Sequence, residues 1–299
     1  MDRIYEGEEI IRMSYYHTPV LMQEVLQGLD VETGKRYIDA TLGGGGHTRA
    51  LLEKGAEVLA IDEDTDAIEE SKTYAHPHLR IVQGNFRNIV SIAKKEEFEQ
   101  VDGILFDLGV SSHQINTTSR GFTFRFDEAP LDMRFNIKNL KSARELIAQA
   151  SEDELYEIFA KYGEEERART IAVHVIRARQ VSPIKTAGDL RGVIEEVVGT
   201  GKQSIGTIAR IFQAIRIVVN DEMQALEEGI IGAMHVVKPG GRIAIISFHS
   251  LEDRIVKRLF RASRYIEITK KPIIATETEE NENPRSRSAK LRVVEKPKN

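Results

Sequence analysis

Polar and apolar positions alternate in two rhythms along this chain. Short apolar runs recur at Tyr37 to Leu42, Glu57 to Ile61, Leu79 to Val82, Val101 to Phe106 and Arg242 to Ser247. Runs of that length suit strands covered on both faces. Between the early runs, apolar residues return every three or four positions, as in Asp64 to Tyr74 and Asn88 to Glu96, which is the period of a half-buried helix. Strands alternating with helices predict an α/β fold built on a parallel sheet with both faces covered. Two last runs, Tyr265 to Thr269 and Lys290 to Val294, have no helical period between them and predict an antiparallel closing pair.

One connection breaks the alternation. More than a hundred residues separate Phe106 from Arg242, whereas a parallel crossover needs only about a dozen. Helical periods fill the gap, at Ser142 to Gln149, Glu152 to Tyr162, Glu164 to Arg179, Asp189 to Val198 and Gly206 to Val219. The pattern predicts a sheet domain in two parts, residues 1–115 and 216–299, with a mainly helical insertion over 116–215. A helix over Asp221 to Val237 should stop at Pro239-Gly240-Gly241. Ser151 and Asp189 read as helix caps. Phe122, Phe124 and Phe126 alternate as on one face of a strand. The polar stretch Thr276 to Arg287 reads as a mobile loop.

Composition narrows the class. At 299 residues with 41% hydrophobic and 30% charged residues, the chain has ample core material. No apolar run approaches the roughly 18 residues that span a bilayer, and the start is acidic at Glu6, Glu8 and Glu9, so the expectation is a cytoplasmic protein without a membrane partner. Zero cysteines exclude disulfides, thiolate metal sites and cysteine nucleophiles. The histidines show no metal-binding spacing, so no catalytic metal is expected. Net charge is −5, yet the segment from Asn281 onward carries six cations against two acids. Such a run is either a solvated face or a site for a polyanion.

The chemistry gathers at the strand ends. Gly43 to Gly46 follow the first strand and precede a helix, so bare backbone N–H groups can approach a ligand there. Asp62 ends the second strand 19 residues beyond Gly43, the position from which an acid binds a ribose hydroxyl. The dinucleotide pattern fails, because Thr48 stands where its third glycine belongs. Asp39, inside the first strand, suits a cationic ligand such as S-adenosylmethionine. After the fourth strand comes Asp107-Leu108-Gly109-Val110-Ser111-Ser112-His113-Gln114, which should face the glycine loop.

Eight ordered motifs carry a resemblance. They are His17-Thr18-Pro19-Val20-Leu21, Asp39 to His47, Asp102 to Ser112, Pro130-Leu131-Asp132-Met133-Arg134, Tyr162-Gly163-Glu164-Glu165, Phe212 to Ile217, Ser247 to Arg254 and Asn283 to Arg292. Together they resemble the bacterial 16S ribosomal RNA cytosine-N4 methyltransferases, the MraW or RsmH family. The resemblance implies a class I S-adenosylmethionine-dependent, Rossmann-like methyltransferase sheet with an inserted all-α domain. It also implies methylation of a cytosine in the decoding region of 16S rRNA within the small ribosomal subunit. Carried over residue by residue, it assigns Gly45, Gly46, His47, Asp62, Phe86, Asp107 and Gln114 to the cofactor.

Asp107 is the candidate catalytic acceptor for the amine protons. His249 can reach substrate or cap the following helix. Arg285, Arg287, Lys290 and Arg292, with Arg254, Lys257, Arg258 and Arg261, are candidates for a basic rim that grips RNA. Two other functions fit the same residues: a methyltransferase of this fold acting on another amine, and a cofactor-binding ribosome-assembly factor without catalysis. Oligomeric state is left open, a homodimer included.

Overall fold

The computed structural model describes residues 19–138 and 141–298. His17, Thr18 and the acidic start therefore lie outside the described residues. In chain order the strands are β1 (Arg36–Asp39), β2 (Glu57–Asp62), β3 (Leu79–Gln83), β4 (Val101–Asp107), β5 (Val237–Ser247), β6 (Ile266–Glu267) and β7 (Lys290–Glu295). The helices before β5 are α1 (Met22–Gly28), α2 (Gly46–Glu53), α3 (Thr65–Ser71), α4 (Ile89–Lys95), α5 (Ser112–Asn116), α6 (Ala143–Gln149), α7 (Glu152–Gly163), α8 (Ala168–Val181), α9 (Ala187–Val198), α10 (Lys202–Asn220) and α11 (Glu222–Val236). After it come α12 (Ser250–Ala262) and α13 (Glu277–Glu282).

The strands form one sheet in the order β3-β2-β1-β4-β5-β7-β6. The first five are parallel, and β7 runs antiparallel to both β5 and β6. This is the class I methyltransferase sheet, and it bears out the α/β reading and the antiparallel closing pair. Val58, Leu59, Ala60 and Ile61 of β2 are fully buried, as expected of a strand covered on both sides. One apolar core lies on each face of the sheet. A third gathers side chains from Ala129 to Ile215 alone. There α10 contributes Ile208, Ile211, Phe212 and Ile215, one stripe at three- and four-residue spacing.

The structure corrects several local expectations. Phe122, Phe124 and Phe126 form no strand: Phe122 stacks on Phe135 with ring centres 5.5 Å apart, Phe124 meets Phe212 edge-on at 5.4 Å, and Phe126 is exposed. Aromatic contacts, not ladder hydrogen bonds, set that segment. The helix expected from Glu164 begins at Ala168, because Glu164 takes a left-handed conformation (φ 49°) that ends α7. The Pro239-Gly240-Gly241 turn does stop α11, but it lies inside β5 as a slip in pairing between Val101 and Gly103. Thr276 to Arg287 holds α13 and a 3-10 turn, and Glu279 accepts the Leu21 N–H at 2.7 Å. Its polarity serves capping and anchoring. Ser151 caps α7, while Asp189 completes the cap that Thr186 begins on α9.

Candidate functional site

The strand order reverses between β1 and β4, and ligands of open α/β sheets collect at the carboxyl ends beside such a switch. A cavity of about 1100 Å³, open mouth included, lies there. Its first wall is the glycine loop. Gly43 and Gly45 have φ angles of +49° and +71°, in the region where only glycine is unstrained. The loop is braced from below: Asp62 accepts Gly43 N–H at 2.7 Å and Asp64 N–H at 2.8 Å. Each carboxylate oxygen keeps a second lone pair, and Asp62 faces the cavity. Burial pushes its pKa up to about 6 against those two N–H bonds.

Asp39 is placed otherwise than expected. Its carboxylate accepts Thr48 Oγ1 at 2.7 Å and Thr41 N–H at 3.2 Å, and it does not line the cavity. It pins the start of α2 to β1, and burial raises its pKa to about 6. No cationic ligand meets it in this arrangement.

The second wall follows β4. Asp107 donates its N–H to Thr41 Oγ1 at 2.7 Å, while its Oδ1 is buried without a hydrogen-bond partner among the described residues. His47 Nδ1 stands 3.6 Å from Asp107 Oδ2, and His47 Nε2 lies 3.1 Å from Val20 O. With Nε2–H donating to that carbonyl, Nδ1 turns a lone pair toward Asp107. Burial pushes Asp107 up to about 7; Arg285 pulls the other way and Glu252 adds to the rise. Burial likewise lowers the His47 pKa. A neutral imidazole beside a carboxyl poised to hold a proton is the result.

Gln114 spends its amide inside the protein. Its Oε1 accepts Ser111 N–H at 2.8 Å in the cap of α5, and its Nε2 donates to Asp64 Oδ2 at 2.6 Å. Arg120 clamps the same Asp64 at 2.9 Å and reaches the carbonyls of Arg134 and Phe135. Phe86 closes the adjacent side, edge-on to Phe106 at 5.5 Å. Of the residues assigned to the cofactor, Gly46, His47, Asp62, Phe86, Asp107 and Gln114 line the cavity. Gly45 does not; a side chain there would meet the Tyr74 hydroxyl at 1.9 Å.

The third wall was missed in the sequence. Phe135, Asn220, Glu222 and Met223 close the cavity where α10 passes into α11. Arg216 holds Glu222 through two bonds at 2.7 and 2.9 Å. Glu222, His249 and Glu252 bring one ligand-type atom each within 4.8 Å of one another, but Arg216 and the Phe248 N–H already compensate these carboxylates. Only the Asp221 turn, left-handed at φ 51°, hinted that the chain doubles back here.

The basic candidates separate. His249 caps α12 with Nδ1 3.4 Å from Glu252 N and does not line the cavity. Arg285 does line it, donating to Ser112 Oγ at 2.8 Å and to Val110 O. Arg292 is bound to Asp253 at 2.6 and 3.2 Å, and Lys290 stands 3.9 Å from the same carboxylate. Arg287 is exposed.

The model of the MraW methylase family matches residues 14–297. The chain belongs to the MraW methylase family. Among curated relatives, Ribosomal RNA small subunit methyltransferase H of Deinococcus deserti is 45% identical over 284 residues, covering 95% of this chain and 94% of that one. The protein of the same name in Carboxydothermus hydrogenoformans is 40% identical over 95% of this chain and 99% of that one. A solved rRNA methylase from Streptococcus thermophilus superimposes with a TM-score of 0.43 at 11% identity, over 92% of this chain and 95% of that one. Membership in the MraW methylase family matches the resemblance carried by the eight motifs. No helix among the described residues is long and apolar enough to cross a membrane.

Proposed function

We propose that this chain is an S-adenosylmethionine-dependent methyltransferase of small-subunit ribosomal RNA that modifies N4 of a cytosine in the decoding region of 16S rRNA. Its MraW family membership and the names of its relatives support an RNA of the small subunit. The observation that carries the chemistry is the unsatisfied Oδ1 of Asp107, buried in a cavity between the glycine loop and Glu252.

The cavity fits the cofactor on two grounds. Gly43 and Gly46 leave bare backbone at its wall, and a Cβ at Gly43 would meet no protein atom nearer than 3.9 Å, space that a ligand can take instead. The polar groups of Asp62 and Asp107 remain available at opposite sides. Asp62 would hold the ribose diol, and Phe86 would pack against the adenine. When bound, S-adenosylmethionine supplies an electrophilic methyl group on a sulfonium.

A cytosine amine is a poor nucleophile because its lone pair is delocalised into the ring, so orientation and a proton acceptor must supply the rate. Asp107 Oδ1 would accept one N4–H, orient the amine and take the proton released as N4 gains the methyl and the S–CH3 bond breaks, its electron pair staying on sulfur as a neutral thioether. A pKa of about 7 suits a base that works near neutrality. No covalent adduct with the base is needed, and the usual thiolate route to carbon-5 methylation is closed to a sequence with zero cysteines. The helical layer over residues 116–215 serves as the substrate-recognition domain, and the protein works in the cytoplasm.

The test is transfer of labelled methyl from S-adenosylmethionine to isolated small subunits, with mass-spectrometric location of the product. Label on N4 of a decoding-region cytosine is expected, and label elsewhere or none overturns the reading. Asp107→Asn should lower turnover at saturating cofactor by roughly 10²- to 10⁴-fold, the usual contribution of a positioned acid or base.

A further inference from the structure

A second groove lies further along α12, with Glu252 lining the first cavity and Lys257 and Arg261 lining this one. It spans about 560 Å³, open mouth included, between α12, β7 and the segment after β6. Lys257 and Arg261 stand on one side, Lys270 and Lys271 on the other, and Arg292 at the floor. Glu267 is the one acid that lines it.

Five cations against one acid stand out on a chain of net charge −5. Arg292 is neutralised by Asp253. Lys257, Arg261, Lys270 and Lys271 are exposed and carry no ion pair among the described residues. Other cations of α12 are committed elsewhere, Arg254 to Glu164 and Arg258 to Glu227. The four charges come as two pairs, one on α12 and one on the segment after β6, and of the apolar residues that line the groove Phe260 is 4% exposed, Val293 1% and Val294 0%, with Pro272 half-buried. Ile266, Ile268 and Ile274 are exposed on the neighbouring segment but do not line the groove, so inside it a protein partner would meet charge before apolar surface. A phosphate backbone needs none, since it is held by point charges that displace its counterions.

We infer that this groove is a second RNA contact, a phosphate-backbone track that holds ribosomal RNA outside the target nucleotide. It continues from the cavity through Lys290 and Arg292, alternate residues of β7 beside the first turn of α12. The track rests on the reading of small-subunit RNA as substrate. It contributes affinity and register rather than base identity.

The test uses the full chain with Lys257, Lys270 and Lys271 changed to alanine, and isolated small subunits as substrate. Each lost phosphate contact on single-stranded RNA removes about 0.7 from the log–log salt slope, so the triple variant should flatten the dependence of KM by roughly two units. At moderate salt KM should rise on the order of tenfold, while kcat and S-adenosylmethionine affinity stay within about twofold. Glutamate at the same three positions should raise KM further. An unchanged KM and slope, with the unaltered enzyme still methylating subunits, overturns the track and leaves the substrate reading standing. A raised KM with an unchanged salt slope overturns the phosphate assignment in favour of a ribosomal protein surface. No methylation of subunits by the unaltered chain overturns the substrate reading itself, and the track with it.

Discussion

Arg285 reaches across 173 residues of sequence to donate to Ser112 Oγ at 2.8 Å. With its bond to Val110 O, it clamps the loop after β4 from the far end of the chain, beside Asp107. Arg285→Ala should therefore weaken S-adenosylmethionine binding and leave Asp107 without its counter-charge. The sign follows: burial already raises the Asp107 pKa to about 7 and Arg285 restrains it, so the acidic limb of the kcat–pH profile should move to higher pH in the variant. Arg287→Ala should do neither, and should flatten the salt slope by about 0.7. Titration calorimetry with rate profiles from pH 5 to 9 separates the two; an Arg285 variant that alters only salt dependence would return that side chain to the RNA rim.

Asp39 gives a stability test free of catalysis. Its folded pKa, raised by burial to about 6, exceeds that of the unfolded chain. The native state thus binds the proton more tightly, and stability falls as pH rises between about 4 and 6. At about 1.36 kcal/mol per pK unit, the fall is on the order of 3 kcal/mol. Asp39→Asn, which keeps a carbonyl for Thr41 N–H and an amide for Thr48 Oγ1, should flatten the curve by that amount. Parallel slopes in urea melts of both proteins across this window would show that Asp39 does not bind the proton.

Gly45 and Tyr74 should be energetically coupled. A methyl at Gly45 meets strain from φ +71° and the Tyr74 hydroxyl at 1.9 Å. Gly45→Ala should lose more than the ~1–2 kcal/mol that left-handed strain alone costs. Adding Tyr74→Ala should recover part of the loss, with an interaction energy of roughly 0.5–3 kcal/mol in a double-mutant cycle. Tyr74→Phe alone should be neutral or stabilising, because the hydroxyl is buried without a hydrogen-bond partner among the described residues. Strict additivity would mean that the two residues do not meet.

Asn220 holds the third wall. It donates to Met133 O at 2.7 Å and accepts Phe135 N–H at 2.8 Å, fixing a stretch in which Met133 takes a left-handed φ of 61°. Asn220→Ala strands both backbone groups, at a cost of about 1–3 kcal/mol each. Lower thermal stability and a raised KM are expected together, since Phe135 lines the cavity. Unaltered melting would show the loop to be held by other contacts.

The sheet was legible because buried strands and covering helices impose their periods on the sequence whatever lies around them. Gly43 to Gly46 and Asp62 were legible for a related reason: backbone geometry at a strand end allows few residue types. Phe135 and Glu222 were not. They reach the cavity only after α6 to α10 have folded back on themselves, and no local pattern encodes that return. Arg285 illustrates a different limit, since a charge run reads alike whether its arginines are solvated or, as here, one of them turns inward toward Asp107. The alternate phenylalanines misled because Phe122 and Phe124 find aromatic partners at Phe135 and Phe212, contacts made at long range.

The place of β5 and β7 in the sheet sets an order of events during synthesis. At ~5–20 residues per second, the ribosome needs roughly 6 to 26 s to pass from the end of β4 to the start of β5, and β4 waits that long for its neighbour. The helical layer emerges in this interval and can bury its own core first. Arg285 comes still later, 173 residues after the Ser112 that it holds, so the loop beside Asp107 gains its brace only after β5 and α12 have been made. A nascent chain that has passed β4 but not yet reached Arg285 carries the glycine loop and the carboxylate without the clamp.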